Sequence, residues 1–389
     1  MRNEIAIIGA RSLGQIAAAD LTLRGHDVSL YEEPEYSGLL EPLVRNGGID
    51  LLLTRCYNIG GRPTLNYEKV GFAKVHCITT DIKEAIENAE IIIVGVHAYR
   101  HERIAELVAP HLREGQTVVI SIGNAGSLVF SKQWKEMGVK KHVLLAETCP
   151  SLYNGRFGSE YGLTEGQCAT TGQVLVPPED PRARPKLISA FPAKETDEVM
   201  SRLKDLFKMV KGSNVLEVAL SSNNIIYHAP ACLMNACAID KSGGFFYLHL
   251  HAMDENTWTE TPSLNRICNA IRAERSAIFE RMGWAEHQHF THAGPPSKSR
   301  TPPAVLLQMG PTSIDKHRFV AEDVRIGLTF LSSLGDMIGV PTPTARAVIS
   351  LLSMINQVDY LEVGRTVERA GIAGLGVDRL NRYLTQGTA

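Results

Sequence analysis

The sequence lacks several features that mark whole classes of proteins. Its 40 Lys and Arg residues are balanced by 42 Asp and Glu residues, so no basic excess points to a nucleic-acid partner. No uninterrupted apolar run approaches the roughly 20 residues that a membrane span needs, and no leader with a cleavage site precedes the first apolar segment. The seven Cys form no CxxC pair. We therefore expect a cytoplasmic protein with reduced thiols and without a membrane partner.

The first half of the chain alternates between strand and helix patterns. Short aliphatic runs predict buried strands, and segments with small or periodic apolar residues predict the helices between them. Such alternation is typical of a doubly wound parallel sheet of the Rossmann type. The predicted elements are the strands Glu4–Ile8, Asp27–Tyr31, Ile91–Val96, Thr117–Ile122 and His142–Ala146, and the helices Leu13–Arg24 and Ile104–Leu112.

Strand patterns end near residue 220, and helical patterns alone follow. Pro177 to Pro192 is predicted to be a loop, Asp197 to Lys211 an amphipathic helix, and Val215 to Val218 a last strand. Beyond them we predict helices at 222–241, 264–282, 319–337 and 344–363, with a Gly/Pro/Ser-rich loop at 294–312. The 389 residues suit two domains. The predicted fold is an α/β dinucleotide-binding domain at 1–219 followed by an all-helical substrate domain at 220–389.

A glycine-rich turn between the first strand and the first helix indicates a dinucleotide site. Gly9 and Gly14 are spaced as in the GxGxxG fingerprint, in which a pyrophosphate rests on the helix N-terminus. Arg11 stands where the fingerprint has its middle glycine, so its side chain either contacts a phosphate or weakens binding. We expect the cofactor to contact Gly9, Arg11, Ser12, Leu13 and Gly14.

Two residues farther along the chain are predicted to complete the cofactor site. Glu32 ends the second strand, where an acid bonds the adenosine ribose and repels a 2′-phosphate. This favours NAD, although Arg11 leaves NADP open. His97 follows the Ile91–Val96 strand, and ligands bind beyond the carboxyl ends of parallel strands. A surface-loop role for His97 is equally open.

The helical half contains a candidate catalytic constellation. Asn224 and His228 are four residues apart and share a helix face. Imidazole is the usual group for proton transfer near neutral pH. Arg318 can clamp a carboxylate through two N–H groups, and Asp323 can orient a histidine. The sequence does not show that these segments meet.

These motifs resemble those of the octopine/nopaline (opine) dehydrogenases, NAD(P)-dependent enzymes that reductively condense an amino acid with an α-keto acid. Two elements carry the resemblance. The first begins with Asn-x-x-x-His and continues through a Pro/Leu-rich stretch, from Asn224 to Ala236. The second is Arg-Phe-x-x-Glu-Asp at 318–323, with Phe319 for the family's Tyr. Weaker matches are Thr261-Pro262-Ser263, Ala273-Glu274-Arg275, Val340-Pro341-Thr342-Pro343 and Gly364-Arg365-Thr366.

The resemblance implies specific roles. His228 would be the acid/base, Asp323 its partner, Arg318 the ligand of the keto-acid carboxylate, and Asn224 a residue lining the site. An amino acid and an α-keto acid would be the small-molecule partners, joined through an imine that a hydride then reduces. A homodimer is left open. The segment 248–260 is longer than in the family, which suggests an unusual amine substrate.

Other functions stay open at this stage. A 2-keto acid reductase of the ketopantoate-reductase type, which needs no amine, shares the two-domain plan. A dinucleotide-sensing protein without turnover is a third hypothesis. We expect no metal, because the groups His249/His251 and His287/His289/His292 bring no carboxylate or Cys at a familiar ligand spacing.

Overall fold

The structure is a computed structural model that describes residues 2–59, 62–158, 163–170, 173–241, 262–286 and 318–388. Within these ranges it describes all side chains except those of 55–65 and of Arg318. The predicted 294–312 loop, the 248–260 segment and the two histidine groups lie outside the described residues. Within the described ranges no helix combines the length and apolar character needed to cross a bilayer.

The chain divides into two compact units. One comprises Met1–Arg55, Asn66–Ala219 and Leu384–Gly387, and the other comprises Cys56–Leu65, Leu220–Tyr383 and Thr388–Ala389. The main break in the sequence therefore lies between Ala219 and Leu220. The first unit contains nearly all of both sheets of the described chain, and the second is built largely of helices, so the predicted fold class is confirmed.

The first unit contains an eight-stranded sheet and most of a four-stranded sheet, two strands of which include residues 56–59 and 62–65 of the second unit. The strands are β1 Glu4–Ile8, β2 Asp27–Tyr31, β3 Ile49–Ile59, β4 Arg62–Ala73, β5 Cys77–Thr79, β6 Ile91–Val94, β7 Thr117–Ser121, β8 Leu144–Cys149, β9 Gly155–Phe157, β10 Gln167–Thr170, β11 Lys186–Ala190 and β12 Met209–Lys211. The larger sheet has the order β12-β11-β8-β7-β6-β1-β2-β5, and the smaller has the order β4-β3-β10-β9. In the larger sheet only the β8–β11 pair is antiparallel.

Helices cover both faces of the larger sheet, as alternating burial along β1 demonstrates. Ile5 and Ile7 point into one apolar cluster, and Ala6 and Ile8 into another. This is why the first strand reads as a continuous apolar run. The helices of this unit are α1 Ser12–Leu23, α2 Glu41–Asn46, α3 Ile82–Ile86, α4 His101–Val108, α5 Gly126–Glu136, α6 Thr196–Leu203 and α7 Val215–Leu220.

In the second unit, the described residues form helices and one π-helical segment. They are α8 Asn224–Met234, α9 Ala236–Lys241, α10 Pro262–Met282, α11 Arg318–Ala321, the π-helical Asp323–Leu328, α12 Thr329–Ile338, α13 Pro343–Asn356, α14 Tyr360–Val363 and α15 Val377–Gln386, whose last residues belong to the first unit. Glu274 of α10 accepts hydrogen bonds from Thr344 N and Ala345 N, at 2.6 and 3.0 Å. It thereby satisfies free N–H groups at the start of α13.

Three local predictions were wrong. The predicted loop before Pro192 contains β11, and the predicted helix to Lys211 ends at Leu203 and gives way to β12, which pairs with β11. The predicted strand Val215–Val218 is part of α7. The side chain of Asn214 accepts from Leu216 N and Glu217 N at 2.9 and 3.0 Å, which is an N-terminal helix cap.

The contact between Gly9 and Gly14 yields a test of the fold. A Cβ atom on Gly14 would lie 1.6 Å from the carbonyl oxygen of Gly9, so α1 can approach β1 only without a side chain there. We expect Gly14→Ala to lower the free energy of unfolding by about 3 kcal/mol or more. Gly38→Ala is the control, because no heavy atom lies within 4 Å of its Cβ position. Urea unfolding of both variants measures the difference, and an equal effect would contradict this packing.

Candidate active site and dinucleotide site

The predicted fingerprint lies in the turn between β1 and α1. Gly9 has a φ of +106°, and its N–H donates to Tyr31 O at 2.8 Å. Arg11 is the N-cap residue of α1, with an exposed side chain that makes no cap bond. The N–H groups of Ser12, Leu13 and Gly14 have no acceptor within the helix, because its first such bond runs from Gln15 N to Arg11 O. The loop therefore presents donors suited to a pyrophosphate.

The second predicted loop lies against the fingerprint. Gly95 N donates to Ile8 O at 2.8 Å, and a Cβ atom on Gly95 would meet the side chain of Leu13 at 2.5 Å. His97 follows directly, half-buried, with its ring stacked on Tyr99 at a centroid distance of 5.4 Å. The structure thus places His97 on a loop beside the glycine-rich turn. Its contact with a cofactor stays a prediction.

Glu32 occupies a more enclosed position than a ribose ligand requires. Its side chain is fully buried, and Oε2 accepts from Ala10 N at 2.8 Å. Oε1 accepts from Glu33 N at 3.0 Å and from an Arg100 guanidinium nitrogen at 2.6 Å. The carboxylate therefore fixes the fingerprint loop through the peptide of Ala10. Its proposed contact with a ribose stays a prediction.

Arg100 was not predicted from the sequence, yet it joins two acids at this site. Besides Glu32, it binds Glu33 through Nε at 3.0 Å and through a second guanidinium nitrogen. The guanidinium also lies 4.4 Å from the ring centroid of Tyr36. Nothing in the local pattern around Arg100 indicates this position, because its partners are more than 60 residues away.

Glu147 is a second carboxylate that sequence reasoning missed. It is fully buried in β8, and it accepts from Ala125 N and Ser127 N, both at 3.0 Å, and from the Ser127 hydroxyl at 2.6 Å. These bonds hold the turn at 123–127, where Asn124 and Ala125 have positive φ. An acid inside an otherwise apolar strand was the available signal.

The catalytic candidates of the helical unit meet. His228, in the middle of α8, and Asp323, at the start of the π-helical segment, are 4% and 2% exposed. The Nδ1 atom of His228 lies 2.6 Å from Oδ2 of Asp323, so the predicted contact is present. A carboxylate on Nδ1 fixes the tautomer that carries its proton there and leaves Nε2 for proton exchange.

Two further contacts fix this pair. The ring of Phe319 stacks on the imidazole of His228, with a centroid distance of 3.5 Å and an interplanar angle of 11°. Gly327 faces Ile225 of α8, and a Cβ atom on Gly327 would lie 2.2 Å from the Ile225 side chain. The π-helical segment can therefore approach α8 closely enough for Asp323 to reach His228. A π-helical turn is common at functional sites.

The remaining predicted site residues lie on the same elements. Asn224 begins α8, is half-buried and stands one helical turn before His228. Arg318 begins α11 and directly precedes Phe319, but its side chain lies outside the described side chains. Its carboxylate-binding role therefore stays a prediction. Among the described residues, no group of three His, Cys, Asp or Glu side chains could hold a metal ion.

The Arg100 cluster yields a stability test with a matched control. Arg100 is 9% exposed and pairs with both Glu32 and Glu33, whereas Arg103 is 61% exposed and lies 3.4 Å from Glu33 and 4.0 Å from Glu106. Arg100→Met would leave two buried carboxylates without their cation. We expect it to cost about 3 kcal/mol of unfolding free energy, and Arg103→Met to cost less than about 1 kcal/mol. Denaturant unfolding at pH 7 compares them, and equal losses would refute the ranking.

Two family models match this chain. The model described as NAD/NADP octopine/nopaline dehydrogenase, alpha-helical domain, matches residues 211–356. The model described as ketopantoate reductase matches residues 5–146. The first match covers His228 and Asp323, and the second covers the glycine-rich turn.

Known proteins are similar over nearly the whole chain. The opine dehydrogenase of Arthrobacter sp. (strain 1C) is 26% identical over 383 residues, which cover 95% of each chain. The structure of an octopine dehydrogenase with NADH and pyruvate has a TM-score of 0.63 at 15% identity, covering 99% of this chain and 98% of the other. A yersinopine dehydrogenase with NADP⁺ has a TM-score of 0.62 at 14% identity, with the same coverage. The chain is thus similar to opine dehydrogenases over nearly its whole length, and its helical half matches the family model of the octopine/nopaline dehydrogenases.

Proposed function

We propose that this protein is an opine dehydrogenase-type oxidoreductase that joins an amino acid to an α-keto acid by reducing the imine formed between them. The single observation that carries this proposal is the buried 2.6 Å contact between His228 and Asp323 in the helical unit. It supplies an oriented acid/base of the kind that imine formation and reduction need. The relative from Arthrobacter, an opine dehydrogenase, supports the reaction class.

Residues of the chain have separate tasks in this reaction. Arg318, next to Phe319, binds the carboxylate of the keto acid, and Asn224 contacts substrate from the same helix face as His228. The amine attacks the ketone to give a carbinolamine. His228 donates a proton from Nε2 to the departing hydroxyl, and water leaves as the imine forms. Asp323 stabilises the imidazolium while it carries that proton.

The cofactor assignment follows from the glycine-rich turn. The N–H groups at the start of α1 and the exposed guanidinium of Arg11 suit a pyrophosphate. When bound, NAD(P)H supplies the hydride that reduces the imine carbon. We propose NAD as the preferred cofactor because Glu32 and Glu33 place two carboxylates at the end of β2. NADP stays open, since Arg100 pairs with both acids and reduces their repulsion of a 2′-phosphate.

The alternative that an observation favours is a 2-keto acid reductase without an amine substrate. The ketopantoate reductase model matches residues 5–146, which lie in the dinucleotide-binding unit. That unit binds the cofactor in either enzyme, so it does not distinguish between the two reactions. A cytoplasmic location and a homodimer remain predictions.

A matrix of substrates separates the two reactions. NADH oxidation is followed with each of several α-keto acids alone and then with added amino acids, and the series is repeated with NADPH. We expect oxidation to depend on the amine, with a secondary amine as the product in mass spectrometry. Equal rates with and without every amine, with a hydroxy acid as product, would overturn the proposal in favour of the keto acid reductase.

The buried pair provides a second test. We expect His228→Ala to lower turnover by on the order of 10² or more, because the acid/base is removed. Asp323→Asn should also lower turnover, since an amide does not stabilise an imidazolium. Cofactor affinity, measured by nucleotide fluorescence, should stay close to wild type in both variants.

The control for this pair is His142→Gln, which alters a histidine that is 57% exposed in the first unit. It should keep wild-type turnover. Full turnover in folded His228→Ala would remove this residue from the mechanism.

A further inference from the structure

A small cavity in the first unit carries more positive charge than the proposed reaction uses. It has a volume of about 90 Å³ and lies between α1, the loop after β8 and the segment that enters β12. Four cations line it, Arg24, Arg184, Lys186 and Lys208, and Asp20 is the one carboxylate among the lining residues that the structure describes. This volume suits several water molecules or one compact anion.

The one carboxylate of this cavity already has partners. Asp20 accepts from the hydroxyl of Tyr153 and from Leu175 N, both at 2.6 Å. It also lies 3.6 Å from the guanidinium of Arg24. Burial raises the pKa of Tyr153, so this phenol stays neutral. Asp20 therefore balances Arg24 and leaves the other three cations without a carboxylate in the cavity. Outside the cavity, Asp180 interacts electrostatically with Lys208, but it already binds Arg182.

These three cations make no ion pair with any residue that the structure describes. Lys186 is the innermost of them. Its Nζ atom donates to Ser151 O at 2.7 Å, which uses one of its three hydrogens. Burial, more than the nearby Arg184, lowers the pKa of Lys186 to about 8. Lys186 is half-buried, and a partly desolvated ammonium group without a counter-ion is unfavourable. A bound anion would lower that cost.

We propose that this cavity binds a small oxyanion, held by Lys186 and Lys208 and flanked by Arg24 and Arg184. Three positive charges that no carboxylate in the cavity balances favour a doubly charged tetrahedral anion over a singly charged carboxylate. Inorganic phosphate is therefore the expected occupant, and the carboxylate of a keto acid is the weaker competitor. The site is separate from the glycine-rich turn, because Gly14 and Arg24 lie about 15 Å apart along α1 at 1.5 Å per residue.

Calorimetry on the full chain tests this proposal with inorganic phosphate, pyruvate and chloride at constant ionic strength. We expect saturable binding of phosphate, weaker binding of pyruvate and none of chloride. Arg184→Gln and Lys208→Gln alter residues at the rim that hold no other described side chain, so both variants should fold. Each variant should lower the affinity for phosphate on the order of fivefold, and the double variant should lower it further.

Two control variants locate the anion. Lys204→Gln removes an exposed cation just beyond α6 that does not line the cavity, and Arg11→Ala removes the cation at the other end of α1. Both should keep wild-type phosphate affinity. If Arg11→Ala alone weakens phosphate, the anion occupies the dinucleotide turn and this proposal is wrong.

The pH dependence provides a readout specific to Lys186. The charged or titratable groups around it are Arg24, Arg184, Lys208, Asp20, Tyr153 and Cys149. Because the anion prefers the protonated lysine, affinity should be full below pH 8 and fall as the pH rises through about 8. Sulfate keeps a constant charge over this range and serves as the probe. In Lys186→Met this fall should disappear.

Three results would overturn the proposal. The first is that phosphate and sulfate bind no more tightly than chloride. The second is that the rim variants and Lys204→Gln bind phosphate with equal affinity, and the third is that the sulfate affinity of folded Lys186→Met keeps the wild-type pH dependence. These measurements do not involve turnover. A negative result for anion binding would therefore not contradict the proposed dehydrogenase activity, and an absence of that activity would not contradict the anion site.

Discussion

The buried hydrogen bond between His228 and Asp323 is the contact on which the proposed chemistry depends. A carboxylate that is 2% exposed is stable only when its charge is well compensated, and the imidazole at 2.6 Å provides a partner. The same contact gives the imidazole one tautomer and one orientation. Gly327 makes it possible, because any side chain at that position would separate the π-helical segment from α8. The proposed proton carrier thus depends on backbone packing as well as on two polar residues.

Buried carboxylates have a different task in the first unit, where they hold loops. Glu32 binds the peptide N–H of Ala10, and Glu147 binds those of Ala125 and Ser127. Each bond between a charge and a backbone donor is stronger than a neutral hydrogen bond. The turns that follow β1 and β7 are therefore fixed before any ligand arrives. A fixed turn loses little conformational entropy on binding, which favours a site for a dinucleotide.

The predicted and observed elements agree best where the local sequence pattern and the tertiary packing favour the same residue types. The bounds of β1 and β2 match the predicted strands. β1 is a short apolar run covered on both faces of the sheet, and β2 buries Val28, Leu30 and Tyr31. The errors in the predicted elements lie within residues 177–220.

The apolar periodicity of a helix continues past Leu203, but Met209–Lys211 pairs with β11 and forms a strand. In the sequence, Asn214 followed by Glu217 three residues later is a signal for the start of α7. The segment was predicted as a strand because the residues at 215 and 218 are β-branched. The smaller sheet was not predicted at all, and its central pair, β3 with β10, joins strands more than 100 residues apart.

The sequence by itself determined the two-part fold class, the resemblance to opine dehydrogenases and the residue types of the candidate site, because glycine spacing and the Asn-x-x-x-His and Arg-Phe-x-x-Glu-Asp elements are local and specific. Only the tertiary structure decided which of these residues meet. Asp323 reaches His228 across 95 positions of chain, and Arg100 reaches Glu32 across 68. Such contacts depend on how helices and loops pack, and packing depends on the whole set of buried side chains and close glycine approaches. No local sequence pattern specifies all of these contacts. For this reason Glu32 could be identified as an acid at the end of a strand, but its hydrogen bond to the glycine-rich turn after β1 could not be predicted.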